Sequence, residues 1–463
     1  MLGGLEVVEV NFKSLNYETR FDAEYFKREN LLFLGRLQRH TLHTIGDFAY
    51  VTDGIHTSID YSETSGINLI SATSPRQNAF DISRNVFISE NAYDANPRTA
   101  LKNGDVVIST VGTIGNCAVV DDTILPANSD RHVGIIRDIN NCSPYFLSTF
   151  LLSKYGRFQT LRECTGNVQL NLFLYKIREI LVPELSDLFQ LGIEKCIKNA
   201  HRCISQSKSA YAQAEALLLE TLGLVDFLPS TEAVNIKSFK ESFAATGRLD
   251  AEYYQPKFDE LEAKISETHT LVSLSSVLTL NQRGTQPDYT EEGLPVINSK
   301  HVREGEVLLS DNRVATVPDK ENPLLIQKGD VLINGTGVGT IGRSAPYLHE
   351  QKAIPDNHVT ILRTKKLNPI FLSVYLNSIA GKYQVDKYFK GSSGQIELYP
   401  KDIDCFYVPL VDEVIQTKIA ALVQQSFTLK AGSERLLEVA KRAVEIAIEQ
   451  DEKAGFAYIE ANA

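Results

Sequence analysis

Lys102-Asn103-Gly104-Asp105-Val106-Val107-Ile108 has a close copy in the second half of the chain, Gln327-Lys328-Gly329-Asp330-Val331-Leu332-Ile333. Just downstream, Val111-Gly112-Thr113-Ile114-Gly115 recurs unchanged as Val338-Gly339-Thr340-Ile341-Gly342. A Gly-Asp turn that enters a β-branched run and closes on a glycine-rich turn reads as a strand and hairpin. Self-similarity at a long period marks a chain built from repeated units. Working outward, Arg20-Phe21-Asp22-Ala23-Glu24-Tyr25-Phe26 returns as Arg248-Leu249-Asp250-Ala251-Glu252-Tyr253-Tyr254. Pro144-Tyr145-Phe146-Leu147-Ser148 pairs with Pro369-Ile370-Phe371-Leu372-Ser373, and Val182-Pro183 with Val408-Pro409. The matches are collinear, at offsets of 225 to 228 residues.

The copies are uneven. Strands, glycine turns and helix formers repeat, while the polar residues between them differ, as in Ser71-Ala72-Thr73-Ser74 against Asn298-Ser299-Lys300-His301. One scaffold carrying two divergent surfaces is the simplest physical reading. A duplicated structural domain with drifted loops is the plainer alternative.

Composition bounds the class. Of 463 residues, 43% are apolar and 23% charged, values of a soluble globular chain. No apolar run is long enough to span a bilayer, and the N-terminus lacks the pattern of a signal peptide. Six scattered cysteines, with no CxxC pair and no zinc spacing, imply reduced, buried thiols in a cytoplasm and no metal site. The net charge of -11 argues at first sight against a nucleic-acid partner. Its distribution weakens that argument. Residues 40–185 hold 11 basic and 15 acidic side chains and residues 268–411 hold 15 of each, so that a net charge of -7 out of -11 lies elsewhere.

Within each copy, Val106-Val107-Ile108-Ser109 and Val331-Leu332-Ile333-Asn334 read as strands, with partners at Val133–Ile136 and Val359–Leu362. Tyr145 to Tyr155 and Ile370 to Ile379 have helical apolar spacing. Further along, Ile193, Ile197, Ala200, Ile204, Ser207, Tyr211, Ala214 and Leu218 alternate spacings of four and three, a coiled-coil seam. Ile419, Leu422, Ser426, Leu429, Ser433, Leu436, Ala440, Ala443 and Ala447 form the second seam. The expected fold class is α+β. Two pseudo-twofold-related recognition domains, mixed α/β with mainly antiparallel sheet, are joined by two long helices in an antiparallel coiled coil. The boundaries read as a lead at 1–39, a first domain at 40–185, a central helix at 186–224, a linker and second lead at 225–267, a second domain at 268–411 and a C-terminal helix at 412–463. Two helices each lying on its own domain is the competing arrangement.

Catalytic chemistry is sparse. There is no G-x-x-x-x-G-K-[ST] phosphate loop, no H-E-x-x-H and no G-x-S-x-G elbow, and no cofactor is implied. Gly337-Val338-Gly339-Thr340-Ile341-Gly342 matches G-x-G-x-x-G, but the next residues lead into a strand or loop and not a helix. It reads as a β-turn. Pro318-Asp319 with Glu350-Gln351-Lys352 imitates a metal-dependent nuclease pattern, which is permissive and has no counterpart in the first copy.

The duplicated R-[FL]-D-A-E-Y-[FY], the paired GDVVIST-VGTIG and GDVLINGTGVGTIG hairpins, and FLS…VP leading into a long helix resemble the specificity (S) subunits of Type I restriction–modification enzymes, over essentially the whole chain. The resemblance implies a non-catalytic DNA-binding subunit. Its two target recognition domains would read the halves of a gapped site in double-stranded DNA. Its helices would dock two methyltransferase (M) subunits, joined by motor-nuclease restriction (R) subunits. The alternatives are a specificity subunit whose partner fuses methyltransferase and nuclease, and, from another class, a duplicated protein-interaction scaffold.

DNA recognition needs phosphate anchors and base readers, and Arg, Asn and Gln each bond two groups on one base edge. In the first domain the candidates are Arg76, Gln77, Asn78, Arg84 and Arg98, then Thr110 and Thr113 on the hairpin, Arg131 and His132, and Asn167 and Gln169. In the second they are Arg283, Lys300, His301, Arg303, Thr336, Arg343, His358, Lys390, Ser392, Ser393 and Gln395. The helices would span roughly 54 Å at 1.5 Å per residue, against about 34 Å for one DNA turn.

Overall fold

The duplicated hairpins are built. A computed structural model describes residues 25–83, 85–166, 170–232, 234–316, 322–391 and 394–463. The chain divides into two compact units, the described residues up to Ser205 with Leu429–Ala463, and Gln206–Thr428.

The first unit holds β1 (Leu42–Thr44), β2 (Tyr50–Asp53), β3 (Tyr61–Ser62), β4 (Asn68–Ile70), β5 (Val86–Ile88), β6 (Val106–Ser109), β7 (Cys117–Val119), β8 (Ala127–Ser129), β9 (Val133–Arg137) and β10 (Leu181–Pro183). They form an antiparallel sheet ordered β2-β9-β6-β7, a second sheet ordered β3-β5-β4-β8, and the pair β1-β10. β4 and β8 pair in parallel. The second unit holds β11 (Leu271–Ser273), β12 (Leu278–Arg283), β13 (Tyr289–Thr290), β14 (Leu294–Ile297), β15 (Val314–Ala315), β16 (Val331–Asn334), β17 (Ser344–Pro346), β18 (Ile354–Pro355), β19 (Val359–Thr364) and β20 (Tyr407–Pro409). Its sheets are β12-β19-β16-β17, β13-β15-β14-β18 and β11-β20, the same order strand for strand.

Period-two alternation explains the layers. In β6, Val106 and Ile108 face a core with Phe146, Phe150 and Ile136. Val107, between them, joins Ile70, Ala127, Val133 and Ile135 in a second core. In β16, Val331 and Ile333 face the helices, while Leu332 packs with Tyr347 and Ile361. Each central sheet is therefore buried on both faces, and its strands read as unbroken apolar runs. The expected partners are in register: Ile108 lies opposite Gly134, and Ile333 opposite Thr360.

The helices expected over Tyr145–Tyr155 and Ile370–Ile379 are each broken. Pro144–Leu152 is followed by a separate helix, Lys154–Arg162, and Pro369–Asn377 by Ile379–Tyr388. Ser153 and Ser378 take extended backbone angles and cap the second helix of each pair. Gly156 and Gly381 follow where a Cβ would run into the backbone of Leu151 and Leu376.

Two long helices run Asp187–Thr221 and Glu413–Glu449. The expected C-terminal helix does not continue to the end: Asp451 caps a further helix, Glu452–Asn462, accepting from the Ala454 N–H at 2.8 Å. In the first unit, Ile193 and Ile197 share a core with Ala440, Ala443, Val444 and Ala447. In the second, the Ser207 hydroxyl donates to the Ser426 carbonyl at 2.8 Å, and Ala214 and Leu218 pack with Ile419, Ala420 and Val423. The helices are antiparallel there, since partners fall in number along one as they rise along the other. Of the seam residues, Ala200, Ser433 and Leu436 are also buried, while Ile204, Tyr211, Leu422 and Leu429 are half-buried.

Cysteine burial corrects the sequence reading in part. Cys117, Cys164 and Cys196 are buried, Cys142 and Cys203 are half-buried, and Cys405 is exposed. Burial pushes the Cys117 and Cys142 thiols up to about 12. No helix is long and apolar enough to cross a membrane, and no metal-holding cluster of acidic, histidine or cysteine side chains occurs among the described residues.

Candidate nucleic-acid interface

Loops from distant parts of the sequence meet at one end of each central sheet. In the first unit the Thr110 N–H donates to the His132 carbonyl at 3.1 Å, and the Leu172 N–H donates to Thr110 at 2.9 Å. Thr165 and Asn171 exchange backbone bonds of 3.0 and 2.8 Å. The Ser109 and Thr113 hydroxyls both donate to the Ala72 carbonyl, at 2.5 and 2.8 Å. The second unit repeats the frame with other residues. The Gly335 N–H donates to His358 at 2.8 Å, and the Leu398 N–H donates to Gly335 at 2.8 Å. Lys390 and Glu397 exchange two bonds of 2.8 Å, and the Asn334 amide donates to the Ser299 carbonyl at 3.1 Å.

Two carboxylates support the frame. Asp130 accepts from the His132 N–H at 2.8 Å, and Asp356 from the His358 N–H at 2.9 Å. Burial raises both carboxyls above the usual range, against the pull of those hydrogen bonds. Within the same sheets, Arg137 pairs with Asp105 at 2.5 Å, and Arg363 with Asp330 at 2.7 and 2.9 Å. These pairs tie β9 to the start of β6, and β19 to the start of β16.

The frame sorts the candidates. In the first unit Arg76 is exposed and bridges Asp81 at 3.2 Å, Gln77 is exposed, and Arg131 is exposed beside the half-buried His132. Thr113 is half-buried and spends its hydroxyl on the frame. Arg98 is exposed but turned onto β2, bonding the Thr52 hydroxyl and lying 3.6 Å from Asp53. Two candidates belong to the interior. Asn78 is 3% exposed, donates to the Thr149 hydroxyl at 3.1 Å and accepts from Ser148. Thr110 is 7% exposed. Arg84, Asn167 and Gln169 lie outside the described residues.

In the second unit Lys300, Arg303 and Gln395 are exposed. Arg343 is half-buried and donates to the Gly339 carbonyl at 3.1 Å. Lys390 pairs with Asp402 at 2.7 Å. The Thr336 hydroxyl and His358 Nδ1 are 2.9 Å apart. Arg283 lies mostly inside, donating to Asn357 at 2.6 Å, 3.7 Å from Glu397 and over the Tyr399 ring. His301 is the correction here, at 2% exposed. Its Nδ1 lies 3.2 Å from both the Asn298 N–H and the Asn312 amide nitrogen, so it accepts and the ring is neutral. Burial first, then Lys300 and Arg303, lower its pKa. Ser392 and Ser393 lie outside the described residues.

The decoys resolve differently. Gly337, Gly339 and Gly342 have φ of 94°, 76° and 79° in the turn between β16 and β17, so the glycines serve a turn and no helix follows. Pro318 and Asp319 lie outside the described residues, while Glu350 is exposed and pairs with Lys328 at 2.5 Å.

Sequence reasoning missed Arg157. It donates to the Ile114 carbonyl at 2.7 Å and fills the space beside Gly115, near Thr160. In the second unit a cavity of about 450 Å³ lies by the hairpin, lined by Gly339, Gly342, Arg343, Lys382, Asp386 and Phe389 among others. The signal for Arg157 is weak, since its apolar neighbours suggest only a helix face.

No family model and no curated protein matches the chain. In structure it is similar to solved S subunits of Type I restriction–modification systems. The Type-I S subunit from M. genitalium aligns at 12% identity over 88% of this chain and 95% of its own, with a TM-score of 0.46. The HsdS subunit from Thermoanaerobacter tengcongensis aligns at 15% identity over 89% and 97%, with a TM-score of 0.28. A structure of the type I R-M system, described for its complex assembly and conformational transition, aligns at 15% identity over 89% and 98%, with a TM-score of 0.33.

Proposed function

We propose that the chain is the DNA-specificity subunit of a Type I restriction–modification system. One observation carries the reading: two units share the backbone bonds of one loop frame, yet the side chains around it differ. A shared frame gives both halves the same docking geometry. Arg76 and Arg303 hold equivalent places as common anchors, while the exposed Thr73 and Gln77 stand against Lys300 and Glu304, and these differences give the units different sequence preferences. Recognition domains at 40–185 and 268–411 would then read unrelated half-sites, and the antiparallel helices would hold the gap between them.

In this reading the subunit supplies position and no chemistry. Methylation and cleavage belong to two M subunits and to the R subunits, docked through the helices. Lys and Arg around the frame neutralise phosphates, so affinity falls steeply with salt. The test is retention of a randomised duplex library by the full chain, followed by sequencing. A split motif with a fixed gap supports the reading. Absence of retention at every salt concentration contradicts it and favours a protein-interaction scaffold.

A further inference from the structure

We infer that the first long helix sets the pose of the loop before the reading hairpin in both units, with His201 and Tyr211 as positioning residues for specificity. Two residues with left-handed backbone stand at the centre of these contacts. Asn78 has φ 54° and Gly305 has φ 78°. They hold equivalent places: the Asn78 N–H donates to the Cys117 carbonyl at 3.0 Å, and the Gly305 N–H to the Ser344 carbonyl at 3.1 Å. Each closes a loop bearing exposed candidates, Arg76 and Gln77 in one unit and Lys300 and Arg303 in the other.

The same helix touches both. In the first unit, His201 Nε2 donates to the Asn78 carbonyl at 2.6 Å, with Nδ1 3.7 Å from Asp121. In the second, the Tyr211 ring and hydroxyl press on Gly305 so closely that an added Cβ would lie 2.9 Å from the hydroxyl oxygen. Scaffold packing alone does not require that these contacts fall at matching residues in two loops of different sequence. A helix that fixes the gap between half-sites then also fixes the angle at which each loop meets its bases.

The inference rests on the DNA-reading role of these loops, and its first test does not need DNA. Hydrogen exchange on the full chain compares His201→Ala and Tyr211→Ala with the unsubstituted protein. His201→Ala is expected to speed exchange about tenfold in residues 71–81 only, the value of one hydrogen bond of about 1.4 kcal/mol. Tyr211→Ala is expected to do so in residues 298–306 only. His201→Gln, which keeps an N–H donor, should restore much of the protection. Unchanged exchange in both loops overturns the inference. The second test repeats the randomised-duplex enrichment. His201→Ala should blur one half of the motif at least tenfold in enrichment and spare the other. If the unsubstituted chain enriches a split motif and His201→Ala enriches the same one, the positioning role fails and the DNA reading stands. If the unsubstituted chain enriches nothing, the DNA reading fails, and with it the claim that these contacts serve specificity.

Discussion

The loop Ser71–Asn78 and the loop Asn298–Gly305 take equivalent courses with almost no residue in common. The Ser71 N–H is held by the Ser74 hydroxyl at 3.0 Å, and the Asn298 N–H by His301 Nδ1 at 3.2 Å. A hydroxyl in one unit and a neutral imidazole in the other do the same work. At the closing position the first unit spends a buried asparagine and the second a glycine. The lesson is that backbone geometry is fixed by which groups are satisfied, not by which residue satisfies them. Among the exposed positions between the fixed points Arg76 and Arg303 match, while Thr73 and Gln77 give way to Lys300 and Glu304, a divergence that the proposed reading of unrelated half-sites requires.

The buried ion pairs give the largest expected difference. Arg137 and Asp105 have side chains 8% and 5% exposed, whereas Arg363, with Asp330, is 23% exposed. Removing one member of a buried pair strands the other charge, at a cost of about 3–5 kcal/mol. Arg137→Met should destabilise the first unit by that order, and Arg363→Met the second unit by less. Urea unfolding followed by hydrogen exchange in each unit separates the two. Equal losses would mean that burial does not distinguish the pairs.

Asn78→Gly imposes the second unit's solution on the first. The backbone angle is retained, but Ser148 and Thr149 lose their buried partner. The expected loss is about 1–3 kcal/mol, read by thermal unfolding. A neutral result would show that the side-chain bonds are dispensable and only the left-handed angle matters.

His301 makes the loops differ in pH response. A histidine that binds its proton less readily when folded contributes stability fully above about pH 6.5. That stability is lost as pH falls from there toward the lowered folded value. His269, lowered by burial in the same way, adds to the effect. Unfolding measured between pH 7.5 and 5 should therefore show the second unit weakening, and His301→Ser should remove part of that slope. An unchanged slope would place the acid sensitivity elsewhere.

The smallest effect is expected at Glu350. Its pair with Lys328 is 83% and 55% exposed, so Glu350→Gln should change stability by less than about 0.5 kcal/mol. A larger loss, or a change in DNA binding, would reopen a role for this position that its exposure does not explain.

What the sequence made legible was whatever has a period or a punctuation mark. The alternation through Val106–Ser109, the glycine turn at Gly337–Gly342 and the four-three seam from Ile193 to Leu218 each express local geometry in residue spacing. The breaks at Ser153 and Ser378 were missed because apolar spacing continues across them, and only the extended backbone of the serine ends the helix. The candidate site was harder. Arg76 and Arg131 are exposed as expected, but Asn78 and His301 are interior. Polarity in a loop does not say whether a side chain meets solvent or satisfies the protein's own N–H groups. That depends on Thr149, Asn312 and His201, which are distant in sequence.

The central claim is that each unit reads its own half of the target. It is tested most directly by sequencing the duplexes retained by the full chain before and after residues 40–185 are exchanged for the corresponding domain of another such protein. One half-motif is expected to change while the other half and the gap between them stay the same. Alteration of both halves, or of neither, would contradict the claim.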